Sequence, residues 1–170
     1  MRFGAIVAGL AMLAFGGSAT AWAQSRAHDV EQPIEINADS LEVLQKDQRA
    51  VFRGNVEAVQ GRIRLKADEL EVHYRNKGEA SRVGGAISRI DARGKVFVSS
   101  PSETAAGDAG VYDIAAKEIT LTGKVVLTRG DNVIRGQRLV LDLATGESRI
   151  EGGTGRVRGY FVPARKAPGN

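Results

Sequence analysis

From Pro33 to Leu143 apolar and polar residues alternate with a period of two, the signature of strands that bury one face. Ala50, Phe52, Gly54, Val56 and Ala58 share one parity, while Arg53, Asn55 and Glu57 hold the other. Ile90, Ala92, Gly94, Val96 and Val98 repeat the pattern, as do Ile119, Leu121, Gly123, Val125 and Leu127 with Thr120, Thr122 and Lys124 opposite. Between these segments the parity slips by one: Ile36 precedes Leu41 and Val43, Ile63 and Leu65 precede Leu70 and Val72, and Ile134 precedes Leu139 and Leu141. Such a slip turns the apolar set outward unless a bulge or bend restores it. Asp39, Asp68 and Asp108 sit at or beside such steps and are read as bend residues, because a short carboxylate accepts hydrogen bonds from nearby backbone N–H groups. No stretch after residue 23 keeps a 3.6-residue apolar period for three turns, so the expectation is an all-β domain of roughly a dozen strands of about 5–8 residues.

The same positions reveal a repeat. Gly54-Asn55-Val56, Gly94-Lys95-Val96 and Gly123-Lys124-Val125 are spaced 40 and 29 residues apart, and a further 29 lands on Gly152. A second element, beginning at Ala38-Asp39, Ala67-Asp68, Gly107-Asp108 and Gly136-Gln137, follows the spacing 29, 40, 29. The 11-residue excess falls in Arg75–Arg89, a polar, Gly-rich stretch read as a longer loop.

The N-terminus obeys other rules. Met1-Arg2, the apolar run Phe3–Phe15 and the small-x-small sequence Ala21-Trp22-Ala23 predict a cleaved signal peptide over residues 1–23, with Gln24 as the new start. Retention of these residues as a membrane anchor is the alternative. Residues 24–32 read as a polar, disordered leader, 33–160 as one domain and 161–170 as a flexible tail. The net charge of +4 drops to +3 when Arg2 leaves, with no basic run of the kind nucleic-acid binders carry. With nine aromatic residues in all, several of them on the apolar parity, no nucleic-acid partner is expected. The absence of cysteine excludes thiolate metal sites, disulfides and thiol nucleophiles.

Catalytic constellations are scarce. His28 lies in the leader and His73 on the polar parity of a strand, neither with a second ligand at metal-binding spacing, so both read as surface residues and no metal or cofactor is expected. The repeated aspartates suggest a glycosidase pair, yet their recurrence once per repeat points to a structural origin. No Gly-x-Ser-x-Gly motif occurs. The expectation is no enzymatic activity. The inward face combines medium aliphatics with small residues, Ala50, Ala58, Ala92 and glycines 54, 94 and 123. Such an interior either closes on itself or stays open to an acyl chain, whose burial contributes about 0.8 kcal/mol per methylene. Composition leaves both open.

Four segments carry a resemblance. Pro33-Ile34-Glu35-Ile36-Asn37-Ala38-Asp39-Ser40-Leu41 resembles the opening motif of the OstA-like domain family of lipopolysaccharide-transport proteins. Phe52-Arg53-Gly54-Asn55-Val56-Glu57-Ala58 with Leu65-Lys66-Ala67-Asp68-Glu69-Leu70 is similar to its core repeat, and Ile90-Asp91-Ala92-Arg93-Gly94-Lys95-Val96 to the next copy. The resemblance covers about residues 32–152 and implies a semi-open, twisted β-jellyroll forming a V-shaped trough. It further implies a periplasmic, non-catalytic carrier of lipopolysaccharide from the inner to the outer membrane. The implied partners are an inner-membrane LptC-like protein, an outer-membrane LptD-like translocon and further copies of the chain. Head-to-tail stacking would pair the strand near Pro33–Ala38 with the one near Ser148–Val157. Under that implication the groove for lipid A acyl chains consists of Ile34, Ile36, Phe52, Val56, Ile63, Leu65, Leu70, Val72, Val96, Leu121, Val125, Leu127, Leu139 and Leu141. Arg53, Arg62, Arg64, Lys66, Arg93, Lys95 and Arg135 are the head-group candidates. The alternatives are an anchored LptC-like relative of the same fold and a β-solenoid scaffold with a filled core; a solenoid should keep one rung length, which the 29, 40, 29 spacing does not.

Overall fold

The computed structural model describes residues 32–75 and 86–163. Ten antiparallel strands form one sheet: β1 (Ile34–Asn37), β2 (Ser40–Leu44), β3 (Arg49–Gln60), β4 (Ile63–Arg75), β5 (Ala86–Ser99), β6 (Thr104–Asp113), β7 (Glu118–Arg129), β8 (Asn132–Asp142), β9 (Ser148–Glu151) and β10 (Arg158–Tyr160). The order is β1-β3-β4-β5-β6-β7-β8-β10, with β2 also on β3 and β9 also on β8. The sheet is open: among the described residues no strand joins one end to the other.

The six middle strands run 10 to 14 residues, longer than the alternation suggests, because each passes through a kink without breaking. Gly54-Asn55 on β3 oppose only Asp68 on β4, since the register jumps from Arg53↔Glu69 to Val56↔Ala67. Gly94-Lys95 oppose Asp108 in the same way, and Gly123-Lys124 oppose Gln137. These are bulges, two residues against one. Gly54 (φ 80), Asn55 (φ 47), Gly94 (φ 75), Lys95 (φ 47) and Gly123 (φ 97) all take the left-handed conformation that a bulge of this kind needs. On its other side each glycine faces the acid of the preceding repeat. A Cβ on Gly54, Gly94 or Gly123 would collide with the carboxylate of Asp39, Asp68 or Asp108 respectively. The aspartates therefore mark the bend, as expected, although the extra residue sits in the glycine pair. The series ends where Gln137 takes the place of the aspartate and lies against Gly153.

These bulges form a crease across the sheet and divide it into two half-sheets. The first holds β1, the adjoining end of each middle strand, and β10; the second holds β2, the opposite ends, and β9. The two inner faces meet in one apolar cluster that takes Val56, Leu65, Val98 and Leu127 from the first half and Leu70, Ile90, Leu121 and Leu139 from the second.

The loop expected over Arg75–Arg89 is shorter than the sequence suggests: Arg75 pairs with Ala86 and His73 with Arg89, a bulge at Ser88 having disguised the alternation. The rest of that loop, residues 76–85, lies outside the described residues, as do His28, residues 1–23 and most of the leader and tail. The last strand expected over Ser148–Val157 is instead two, β9 and β10, separated by a turn at Gly152–Gly155.

Candidate functional site

Burial of the inner face is graded. Along the crease Leu70, Leu121 and Leu139 are 0 % exposed and Val56, Val96 and Val125 are 1 %. These form a closed apex. Val72, Leu127, Leu141, Leu65 and, at a strand end, Ile119 are also buried, whereas Ile34, Ile36 and Phe52 near the β1/β2 edge, and Ile63 beside the β3–β4 turn, are only half-buried. The groove expected from alternation thus divides into a packed apex and an accessible rim.

At the rim a cleft of about 450 Å³ opens between the half-sheets, within the range of about 300–1,000 Å³ found for small-molecule sites. Ile63, Val98 and Ala105 of the first half face Ile119, Leu141 and Leu143 of the second, and the turns at Ser100–Glu103 and Gly146–Glu147 border it. Arg62 and Arg129 stand at its margin. Arg129 donates to Glu103 (Nε to Oε2 3.0 Å) and to Ser148 Oγ (3.2 Å), which ties the two sides together. Beside it, toward β1 and β3, lies a small open hollow of about 30 Å³, lined by Ile34, Ala58, Leu65, Ile90 and Tyr112, that shares Ile63, Ile119 and Leu143 with the cleft. There Tyr112 Oη donates to Gln60 Oε1 at 3.1 Å, a buried bond between the half-sheets. Burial raises the Tyr112 phenol above its ordinary pKa, an effect the Gln60 bond partly offsets.

Sequence parity includes Val98, Ile119 and Leu143 but does not distinguish rim from apex. It also gives no sign that Leu41 (55 % exposed) and Val43 lie bare on the inner side of edge strand β2.

The outer face carries charge. Arg53 pairs with Glu42 and Glu69 (both 2.9 Å), Arg93 with Glu69 (3.2 Å) and Glu71 (3.4 Å), and Arg49 with Glu71 (2.8 Å). His73 Nε2 lies 2.9 Å from Asp91, which Arg89 also holds, so this histidine belongs to the network and is not simply solvated. Sequence spacing hides the pair because strand pairing joins residues 18 apart. The Arg49 hydrogen bond keeps the Glu71 carboxyl below the usual range, against the opposing effect of burial; the charges of Arg49, His73 and Arg93 act in the same direction. At Asp91 burial pushes upward, yet the Arg89 bond and charge together with His73 bring it below the usual range.

The head-group candidates separate accordingly. Arg53 and Arg93 are engaged in the network, Arg64 and Lys66 reach Glu57 (3.0 and 3.5 Å), and Lys95 lies 3.9 Å from Asp68. Arg62 and Arg135 have no carboxylate partner among the described residues, and of the two only Arg62 borders the cleft. The repeat aspartates are occupied at the crease: Asp39 accepts from Asn55 Nδ2 (2.8 Å) and Asp108 from the Lys124 N–H (3.1 Å). Among the described residues no group of three or more His, Asp or Glu side chains is arranged to hold a metal ion.

Residues 35–147 match the family described as LptA/(LptD N-terminal domain) LPS transport protein. The chain belongs to this family. Among relatives, a Rhizobium meliloti (strain 1021) protein described as uncharacterized is 38 % identical over 135 residues, covering 78 % of this chain and 73 % of its own length. The lipopolysaccharide export system protein LptA of Escherichia coli K12 is 29 % identical over 120 residues, covering 65 % of this chain and 60 % of its own length. The fold is shared with crystalline LptH, the LptA-homologous periplasmic component of the lipopolysaccharide transport device of Pseudomonas aeruginosa, at a TM-score of 0.68 and 21 % identity, covering 79 % of this chain and 99 % of that one.

Proposed function

We propose that the chain is a periplasmic, non-catalytic carrier that binds lipopolysaccharide by its acyl chains and passes it toward the outer membrane. The rim cleft carries the reading: an opening between two half-sheets with apolar walls from Ile63, Val98, Ile119 and Leu141, and a polar margin where Arg62, without a carboxylate partner among the described residues, stands with Arg129, Glu103, Asp142 and Glu147. A saturated chain of about a dozen carbons gains on the order of 10 kcal/mol from leaving water, enough to drive binding without catalytic chemistry. Arg62 meets the lipid phosphates, while the other candidate cations serve the outer face. Family membership supports the transport role.

Among the described residues both ends of the sheet are unpaired edges, ordinarily an aggregation liability. In this reading they join copies head to tail, β1 of one continuing the first half-sheet beyond β10 of the next, and β2 meeting β9. Glu35 and Glu42 lie on the outer side of the head edge, Arg149 and Arg158 on that of the tail edge, so opposite charges approach. The same edges dock the chain to an LptC-like protein and an LptD-like translocon.

Site-specific photo-crosslinking in cells tests the carrier reading. Probes at Ile63, Ile119 and Leu143 are expected to trap lipopolysaccharide, and probes at Asn55 and Glu71 are not. Absence of adducts from all three inner positions would remove it.

A further inference from the structure

The two half-sheets differ on their outer sides. The second carries the ion pairs of Arg53, Arg93 and Arg49 with Glu69 and Glu71. On the first, Phe97, Ala106 and Val126 stand side by side on β5, β6 and β7, and their row continues into Arg135 on β8 and Arg158 on β10. The next row runs from Ser99 through Thr104 and Thr128 to Val133 and Tyr160. The alternating residues Val98, Ala105 and Leu127 are buried in the core, so both rows face outward. Among the described residues these rows hold apolar, aromatic and hydroxyl side chains and two arginines, but no carboxylate. Phe97 is 38 % exposed and Tyr160 66 %, on a face that meets nothing else in the molecule. Arg135 and Arg158 are direct cross-strand neighbours, a like-charge pair that destabilises the sheet unless an anion joins it. Neither has a carboxylate partner among the described residues.

An occupant of this face must be anionic, offer acceptors to the hydroxyls and have an apolar layer behind its charge. A second copy fits poorly, because Glu57, Glu69 and Glu71 on its outer face are held by its own cations. A bilayer containing anionic phospholipid meets all three conditions. Its phosphates suit the arginines and threonines, and its interfacial zone suits Tyr160 and Phe97. We propose that the outer face of the first half-sheet, from Phe97 to Tyr160, docks on an anionic phospholipid bilayer. The β5–β6 turn at Ser100–Glu103 ends this face and borders the cleft, so docking brings the lip of the cleft to the head-group layer. On the carrier reading that is where a lipid enters or leaves the membrane, although the docking itself does not depend on that reading.

Co-sedimentation of the mature protein with lipopolysaccharide-free vesicles tests it. Vesicles of equal parts phosphatidylglycerol and phosphatidylcholine should bind the protein, and pure phosphatidylcholine should not. High salt should weaken the binding by screening the arginines. Arg135→Gln should weaken it about five-fold, the factor for one cation at an anionic surface. Phe97→Ser should weaken it as well, and Phe97 lies four strands from the tail edge where copies would join. Lys117→Gln removes the same charge from the turn between β6 and β7, at the far end of the second half-sheet, and should bind as wild type does. Equal binding to both vesicle types, binding to neither, or equal weakening by Arg135→Gln and Lys117→Gln overturns the proposal. So does wild-type binding by folded Arg135→Gln and Phe97→Ser chains. Failure of the carrier reading looks different: lipopolysaccharide adducts are then missing at Ile63, Ile119 and Leu143 while vesicle binding persists.

Discussion

The apex and the rim are built from the same aliphatic residues on the same strands, yet they differ in what surrounds them. At the apex Leu121 and Leu139 stand opposite one another on neighbouring strands with no solvent exposure, beside glycines that bring the half-sheets together. At the rim Ile63, Ile119 and Leu143 line both a cleft and a hollow, and a polar bond joins the sides. Side-chain type does not separate the two, and neither does distance from the crease alone: Ile119 at the cleft is as buried as the apex leucines, whereas Ile63 across from it and Phe52, two residues from a bulge, are only half-buried.

Substitutions that invert this gradient provide the tests. Leu121→Ala at the apex should cost about 3–5 kcal/mol, the range for a leucine whose cavity cannot collapse, as a shift of the urea midpoint. A cost near 1 kcal/mol would show that the apex is as loose as the rim. Gly94→Ala should cost about 2 kcal/mol or more, since φ 75 and the Asp68 carboxylate both oppose a Cβ. Adding Asp68→Gly should recover part of that loss, and no recovery would mean that the backbone angle alone sets it. Glu71→Gln on the outer face should cost about 1–2 kcal/mol at neutral pH. Because the folded Glu71 pKa is lowered, its contribution is complete above the ordinary value of 4.5 and fades as pH falls through the lower folded value, so the two stability curves should converge in acid. Ile63→Ser at the rim should change stability by only about 1 kcal/mol, because the site is half-exposed, while it removes most lipopolysaccharide adducts. Lys95→Asn should stabilise by up to about 1 kcal/mol. It places at the second bulge the residue the first one uses at φ 47, where Asn55 also bonds the neighbouring acid, as thermal melts would show.

Much of the fold is legible in the sequence because it depends on local chemistry. A positive φ favours glycine, a two-residue bulge shifts parity by one, and both leave periodic marks at Gly54, Gly94 and Gly123. The fourth copy is legible as well, since Gly153 meets Gln137 where the spacing places a glycine near 152. Strand lengths are not, because a bulge in a continuous strand and a break between strands give the same slip: Asp39 separates β1 from β2, whereas Asp68 and Asp108 interrupt nothing. The site is less legible still. Ile63 and Leu121 share inward orientation and similar volume, but Ile63 sits at the β3–β4 turn beside the cleft whereas Leu121 lies next to the bulge between Gly110 and Leu139 of the flanking strands. Likewise Arg62 and Arg64 look alike in sequence, and cross-strand pairing supplies Glu57 to one alone. Tyr112 and Gln60 are 52 residues apart and belong to no motif.

The crease also separates two properties that a conduit must control independently. Its bend is set where a glycine meets an acid, at Gly54, Gly94 and Gly123, and the geometry of that step is nearly the same at the first two. Its length is set by how many units, of 29 or 40 residues, follow one another, because each strand pairs mainly with its neighbours in sequence. Duplicating or deleting a unit would lengthen or shorten the passage without altering its width, and a copy added at either end would prolong the same fold line. Gauge and reach can therefore evolve separately.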